Sequence, residues 1–225
     1  MRARIVGEFS VLEIIQAGGW LMVPLLLASV VALAICVDRL LALRIEKVAP
    51  DTACAEVLAY WQQAERDPKK AAELRDSSPL AAILLEAIVH YASGRESVKE
   101  TLTDAAGHEI HRLERGLNSL GTIAAITPLL GLLGTVIGMI RVFTEITVHG
   151  TGDASILAGG ISEALITTAS GLTIAIPALM MHRYFLRRLD AIVVAMEQQS
   201  IQLLNTIYRP LLVAPEAPSS SGQGS

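Results

Sequence analysis

The chain has 225 residues, 52% of them hydrophobic and only 18% charged, with a mean hydropathy of +0.50. A globular domain averages about a quarter charged residues, so this composition leans towards the membrane. A net charge of −4 removes the electrostatic case for nucleic acid as a partner. Two cysteines, Cys36 in an apolar run and Cys54 in a charged region, support neither a disulfide framework nor a metal site.

At the N-terminus, Met1-Arg-Ala-Arg4 has the basic character of a signal-peptide head, but Glu8 and Glu13 follow it. The apolar run beyond Trp20 is too long for a signal core, and Ala32-Leu-Ala34, which has the form of a cleavage site, lies inside that run. The segment is therefore read as a retained membrane anchor. Three apolar runs are expected to cross a membrane: Ile14 to Val37 and Gly116 to Ile140, both free of charge, and Ala154 to Met181, interrupted only by Glu163. Crossing a hydrocarbon core of roughly 30 Å takes about 20 helical residues, so each run suffices.

The predicted layout is an N-terminal segment over 1–18, spans over 19–38, 116–143 and 159–182, a helical block over 39–115, a hairpin over 144–158, a helix over 183–209 and a disordered tail over 210–225. The block is amphipathic and broken at Ala49-Pro50-Asp51, Asp67-Pro68, Ser77-Ser78-Pro79 and Ser93-Gly94. From about Arg95 the pattern continues without a strong breaker into the second run, which predicts one long helix. The tail, rich in proline, serine and glycine, has too little apolar surface to order itself.

Basic residues set the expected orientation. The 38–115 block holds eleven Lys and Arg, the region beyond His182 holds four, and the N-terminal segment holds two. Arg39, Arg44, Lys47, Arg112 and Arg115 stand near the span ends. This places the N-terminus outside, with the block and the C-terminus in the cytoplasm.

Glu163 is the main chemical signal. A carboxylate within a span costs roughly 2.5–3.5 kcal/mol on insertion scales, and such residues mark ion or proton routes. Its position tempers this reading: it stands 19 residues before His182, roughly 28 Å at 1.5 Å per residue, towards the outer side. An interfacial or helix-capping carboxylate is the alternative. Thr167 and Ser170 fall within about 40° of Glu163 around the helix, whereas Thr168 points some 140° away. Span two carries Thr127, Gly131, Gly134 and Gly138 along one stripe, with Thr135 beside it. Gly134 and Gly138 have the spacing that lets helix backbones approach, so helix packing is the expected role of the glycines. Because the two spans run antiparallel, Thr135 is expected near the depth of Glu163 to Thr168. Hydroxyls there can relay protons through water or bond their own backbone carbonyls.

Pro128 and Pro177 each fall inside a span and are expected to kink it. His108-Glu109-x-His111 is not a metal motif and is read as a solvated helix face. His149, Asp153 and His182 are read as interfacial residues. No nucleophile–base pair, phosphate loop, cofactor site or metal site is found, so no enzyme is expected.

The stretches Thr127-Pro-Leu-Leu-Gly-Leu-Leu-Gly-Thr-Val-Ile-Gly-Met-Ile140 and Gly160-Ile-Ser-Glu-Ala-Leu-Ile-Thr-Thr-Ala-Ser-Gly-Leu-Thr-Ile-Ala-Ile-Pro-Ala178 resemble the MotA/TolQ/ExbB proton-channel family, and within it the ExbB type. The hydropathy layout agrees from Phe9 to Tyr208. The resemblance implies an all-α polytopic protein of the bacterial inner membrane, with three transmembrane helices extending into the cytoplasm and a homo-oligomeric pore, expected as a pentamer. It implies a single-span, ExbD-like partner that carries the proton-bearing aspartate, and a TonB-like protein energised by proton flow. It further implies that Glu163 is the family's span-three glutamate, that Thr135 and Thr168 are its pore-side threonines, and that membrane lipid surrounds the assembly. A TolQ-type subunit serving envelope integrity and a non-conducting membrane scaffold are the alternatives; flagellar stators have four spans and a larger cytoplasmic domain.

Overall fold

Breakers and apolar runs partition the chain into helices. A computed structural model describes residues 18–63, 67–150 and 154–212. The expected N-terminal segment (residue 18 apart), Asp153 in the hairpin and the tail beyond residue 212 lie outside the described residues. Helix α1 spans Met22–Ala42, α2 Ile45–Val48, α3 Ala53–Trp61, α4 Pro68–Ser77 and α5 Pro79–Val89. A 3-10 turn over Tyr91–Ser93 leads into α6, Arg95–His149, and α7 covers Ala154–Leu212. Among the described residues every regular element is a helix, and α1, α6 and α7 are long and apolar enough to cross a membrane.

The local chemistry accounts for the boundaries. Asp67 caps α4 by accepting from the Lys69 amide at 2.9 Å, with Pro68 preset for the first turn. Ser78 does the same for α5, accepting from the Ala81 amide at 3.2 Å ahead of Pro79. Gly94, at φ 97°, takes a conformation that side chains disfavour and so separates the 3-10 turn from α6. Neither Pro128 nor Pro177 interrupts its helix.

The chain forms two compact units. The first comprises residues up to Ala42 together with Glu114–Arg187. Its core is the seam between α6 and α7. On α6 the buried positions are Leu117, Leu120, Ala124, Thr127, Gly131, Gly134, Gly138 and Val142; on α7 they are Gly160, Ala164, Thr167, Gly171, Ala175, Ala178 and Phe185. Both series step by three and four, the period of a helix seam, apart from the step of seven from Ala178 to Phe185. Within the apolar stretch nearly every member is Gly, Ala or Thr, as close packing in lipid requires.

The second unit comprises Leu43–Leu113 and the chain from Arg188 onward. Its core is built from larger side chains: Val57, Leu80, Leu84, Val98, Ile192, Met196, Leu203 and Ile207 are all fully buried. Burial of such bulk is what the hydrophobic effect favours. Gln199 is buried in this unit. Its Oε1 accepts from the Cys54 amide at 3.0 Å, and its Nε2 donates to the Pro50 carbonyl at 2.9 Å. The Tyr208 hydroxyl donates to the Tyr91 carbonyl at 2.7 Å, with the two rings stacked at 5.1 Å.

Candidate functional site

The α6/α7 seam sets the geometry of the glycines and threonines that the sequence singles out in the second and third spans. The helices run antiparallel, and their backbones touch. A Cβ placed on Gly171 would stand 2.6 Å from the Thr127 carbonyl oxygen, and one on Gly131 would stand 3.0 Å from the Thr168 Cα. A Cβ on Gly138 would stand 2.9 Å from that of Ala164, and one on Gly134 would overlap the Thr167 side chain. At Gly134, Gly138 and Gly171 a methyl group would force a neighbour to shift, and at Gly131 it would press on the Thr168 backbone more tightly than ordinary contact.

That register decides what each hydroxyl does. Thr168 donates across the seam to the Gly131 carbonyl at 2.9 Å. Thr135, half-buried and next to the Gly134–Thr167 contact, donates to the Leu132 carbonyl of its own helix at 2.7 Å. Thr167 is 1% exposed and bonds the Ala164 carbonyl at 2.9 Å. Thr127 and Thr173 bond back in the same way, to Ile123 at 2.9 Å and Ala169 at 2.8 Å. Of these, Thr168 is the hydroxyl that ties the two helices together; the others bend back on their own turns.

Glu163 has a partner that its sequence context did not name. The Arg141 guanidinium donates to Glu163 Oε2 at 2.8 Å, the carboxylate side chain being 23% exposed. On its other side the carboxylate lies against Gly19, just before α1, where an added Cβ would overlap Oε1. Gly19 has φ 67°, so it is glycine both for its backbone and for the space it leaves. Residues that precede α1, end the apolar part of α6 and begin α7 thus converge on one carboxylate. Arg141 directly follows the charge-free run that ends at Ile140. The signal that could have found the pair is the antiparallel depth match, which puts Arg141 and Glu163 at the same ends of their spans.

Glu163 and Thr168 are not brought into one cluster. They engage Arg141 and Gly131, ten residues apart on α6, which is roughly 15 Å along the helix. At the opposite end of the apolar stretch, the His182 ring packs on Gly121, whose Cβ would stand 2.9 Å from Cε1, and Arg39 pairs with Asp38 at 2.8 Å. In the second unit a groove of about 1200 Å³ is lined by side chains of both signs, among them Lys47, Arg75, Glu86, Asp104 and His108. Glu109 pairs with Arg112 at 2.9 Å, while His108 and His111 are exposed.

An all-helical chain with three membrane-length helices and an antiparallel pair of glycine- and threonine-lined spans defines a polytopic membrane protein. Residues 75–198 match the model of the MotA/TolQ/ExbB proton channel family. A biopolymer transport protein named ExbB-like 1, from Synechocystis sp., is 34% identical over 214 residues, covering 89% of this chain and 80% of its own. Biopolymer transport protein exbB1 of Vibrio cholerae is 30% identical over 175 residues, covering 75% of this chain and 76% of its own. The chain belongs to the MotA/TolQ/ExbB proton channel family, a family of transport proteins rather than enzymes.

Proposed function

We propose that this protein is the ExbB-type subunit of an inner-membrane motor that uses the proton motive force to energise TonB-dependent transport across the outer membrane. The observation that carries the reading is the α6/α7 pair. It combines the family's glycine and threonine pattern with an acidic side chain at one end of the apolar stretch. Relatives named ExbB, matched over most of both chains, favour this branch of the family.

In this reading the chain assembles as a pentamer around the helices of a single-span partner, whose intramembrane aspartate carries the proton. Glu163, Thr135 and Thr168 of this chain line or gate the route, and Gly131, Gly134, Gly138, Pro128 and Pro177 set its packing and shape. The N-terminus lies in the periplasm and the C-terminus in the cytoplasm. A proton crossing the membrane releases about 2.3 kcal/mol per 100 mV, so several protons per cycle supply a mechanical stroke.

The reading is tested by purifying the chain with an ExbD-like single-span protein and measuring proton flux in liposomes. In cells, Glu163→Ala and Thr168→Ala are expected to abolish TonB-dependent iron uptake at normal protein level. Thr168→Ser, which keeps the donor to Gly131, should retain it. Wild-type uptake in both alanine variants would remove these residues from the pathway. Normal uptake with a leaky outer membrane would assign the chain to the TolQ branch instead.

A further inference from the structure

The Arg141–Glu163 pair is built differently from three other ion pairs among the described residues. Lys99–Glu96 and Arg112–Glu109 join neighbours three residues apart on one helix, and Arg39–Asp38 joins adjacent residues. Arg141 and Glu163 are 22 residues apart and reach across from α6 to α7. The bond is also asymmetric in exposure: the arginine is 66% exposed and the carboxylate 23%. The guanidinium thus comes from the open side and bonds one carboxylate oxygen, Oε2, while the other, Oε1, faces the backbone at Gly19. The carboxylate is enclosed from two sides by groups outside its own helix.

A guanidinium is always charged and directs its donors in a fixed plane, so it holds a carboxylate in orientation as well as in place. A glycine at φ 67° admits the carboxylate where any side chain would exclude it. We propose that Arg141 and Gly19 are positioning residues for Glu163: together they hold its carboxylate at the junction of the three membrane helices and govern its availability to the proton route. The consequence for transport rests on Glu163 belonging to that route; the positioning does not.

Two readouts separate these. A hydrophobic carbodiimide, which attacks accessible carboxyl groups, is applied to the full-length protein in liposomes, and labelling of Glu163 is followed by mass spectrometry. Arg141→Gln should raise the labelling rate at fixed pH roughly tenfold, the scale of losing one charged hydrogen bond. Arg141→Lys should raise it less, and Gly19→Ala should raise it with Arg141 still present. Labelling of Arg141→Gln at the wild-type rate would overturn the proposal. If that variant does not accumulate, Gly19→Ala and Arg141→Lys decide the same point, since each keeps the positive charge; wild-type labelling in both would overturn it.

Proton flux with the single-span partner is then compared in Arg141→Glu/Glu163→Arg. This double variant keeps an ion pair but turns the carboxylate round. A native melting temperature with flux lost supports positioning of this particular carboxylate. Flux at the wild-type level shows a structural pair only and overturns the consequence for transport. Absence of flux in the wild-type complex defeats the proposed function, whereas the labelling result still decides the positioning.

Discussion

At the residue scale, one buried side chain ties together backbone groups from a distant part of the chain. Gln199 satisfies a buried amide at Cys54 and a carbonyl at Pro50. Leaving a buried polar group unmade costs about 1–3 kcal/mol, so Gln199→Leu should loosen the packing around Cys54. The check is thiol modification under native conditions: Cys54, now buried, should react at least several-fold faster in the variant. Burial also pushes the Cys54 thiol above its ordinary value, because desolvation disfavours the thiolate. The folded state therefore holds this proton more tightly than the unfolded state. Its contribution to stability is complete below the ordinary thiol pKa of about 8.5 and is lost as pH rises towards the folded value. Denaturant melts at pH 8 and pH 10 should differ in that direction, and Cys54→Ala should reduce the difference. The bonding of Gln199 is not legible in the sequence, and for Arg141 and Glu163 the sequence offers only a match of depth in antiparallel spans, not the contact itself. Each joins residues far apart in the chain, and neither falls in a local motif.

At the scale of the element, the same residue type has opposite consequences at two positions on the long helices. Gly171 on α7 meets the Thr127 carbonyl of α6 with no room for a methyl group, whereas Gly107 on α6 is exposed and meets nothing. Gly171→Ala must push two backbones apart and is expected to destabilise the helix pair by about 1–3 kcal/mol. Gly107→Ala removes only the conformational freedom of an exposed helical glycine and should stabilise by about 0.5–1 kcal/mol. Thermal melting of the two variants in detergent should shift in opposite directions; a common direction would contradict the seam. Element boundaries were legible because caps and breakers act within a few residues: Asp67-Pro68, Ser78-Pro79 and Gly94 all stand at helix starts. The small-residue face of span two was legible for the same reason, since a helix repeats its faces every three to four residues.

For the whole molecule, the outward faces and the placement of basic residues bear on how the chain lies in the membrane. The first unit leaves large apolar side chains outward on all three spans, among them Leu27, Val30, Leu33, Leu129, Leu132, Leu165 and Ile176. Such faces suit lipid or neighbouring subunits. The excess of Lys and Arg between the first two spans predicts that this region is cytoplasmic. In a cysteine-free background, Thr147→Cys should react with a membrane-impermeant thiol reagent in spheroplasts that retain an intact inner membrane. Lys99→Cys should react only after permeabilisation. The reverse pattern would invert the topology.

The sequence alone determined the helical class, the three spans and the family pattern in the second and third of them. These rest on hydropathy and spacing along one helix, and both are local quantities. It also showed that Glu163 is a costly residue, because the cost of a carboxylate in an apolar run needs no neighbour to define it. Only the tertiary structure decided what surrounds that carboxylate and what the threonines bond. Glu163 meets Arg141 and Gly19, Thr168 meets Gly131, and Thr135 turns back on its own helix. The reason is geometric. A helical period states which face a residue occupies, but the register between two antiparallel helices is set by which small residues let their backbones meet.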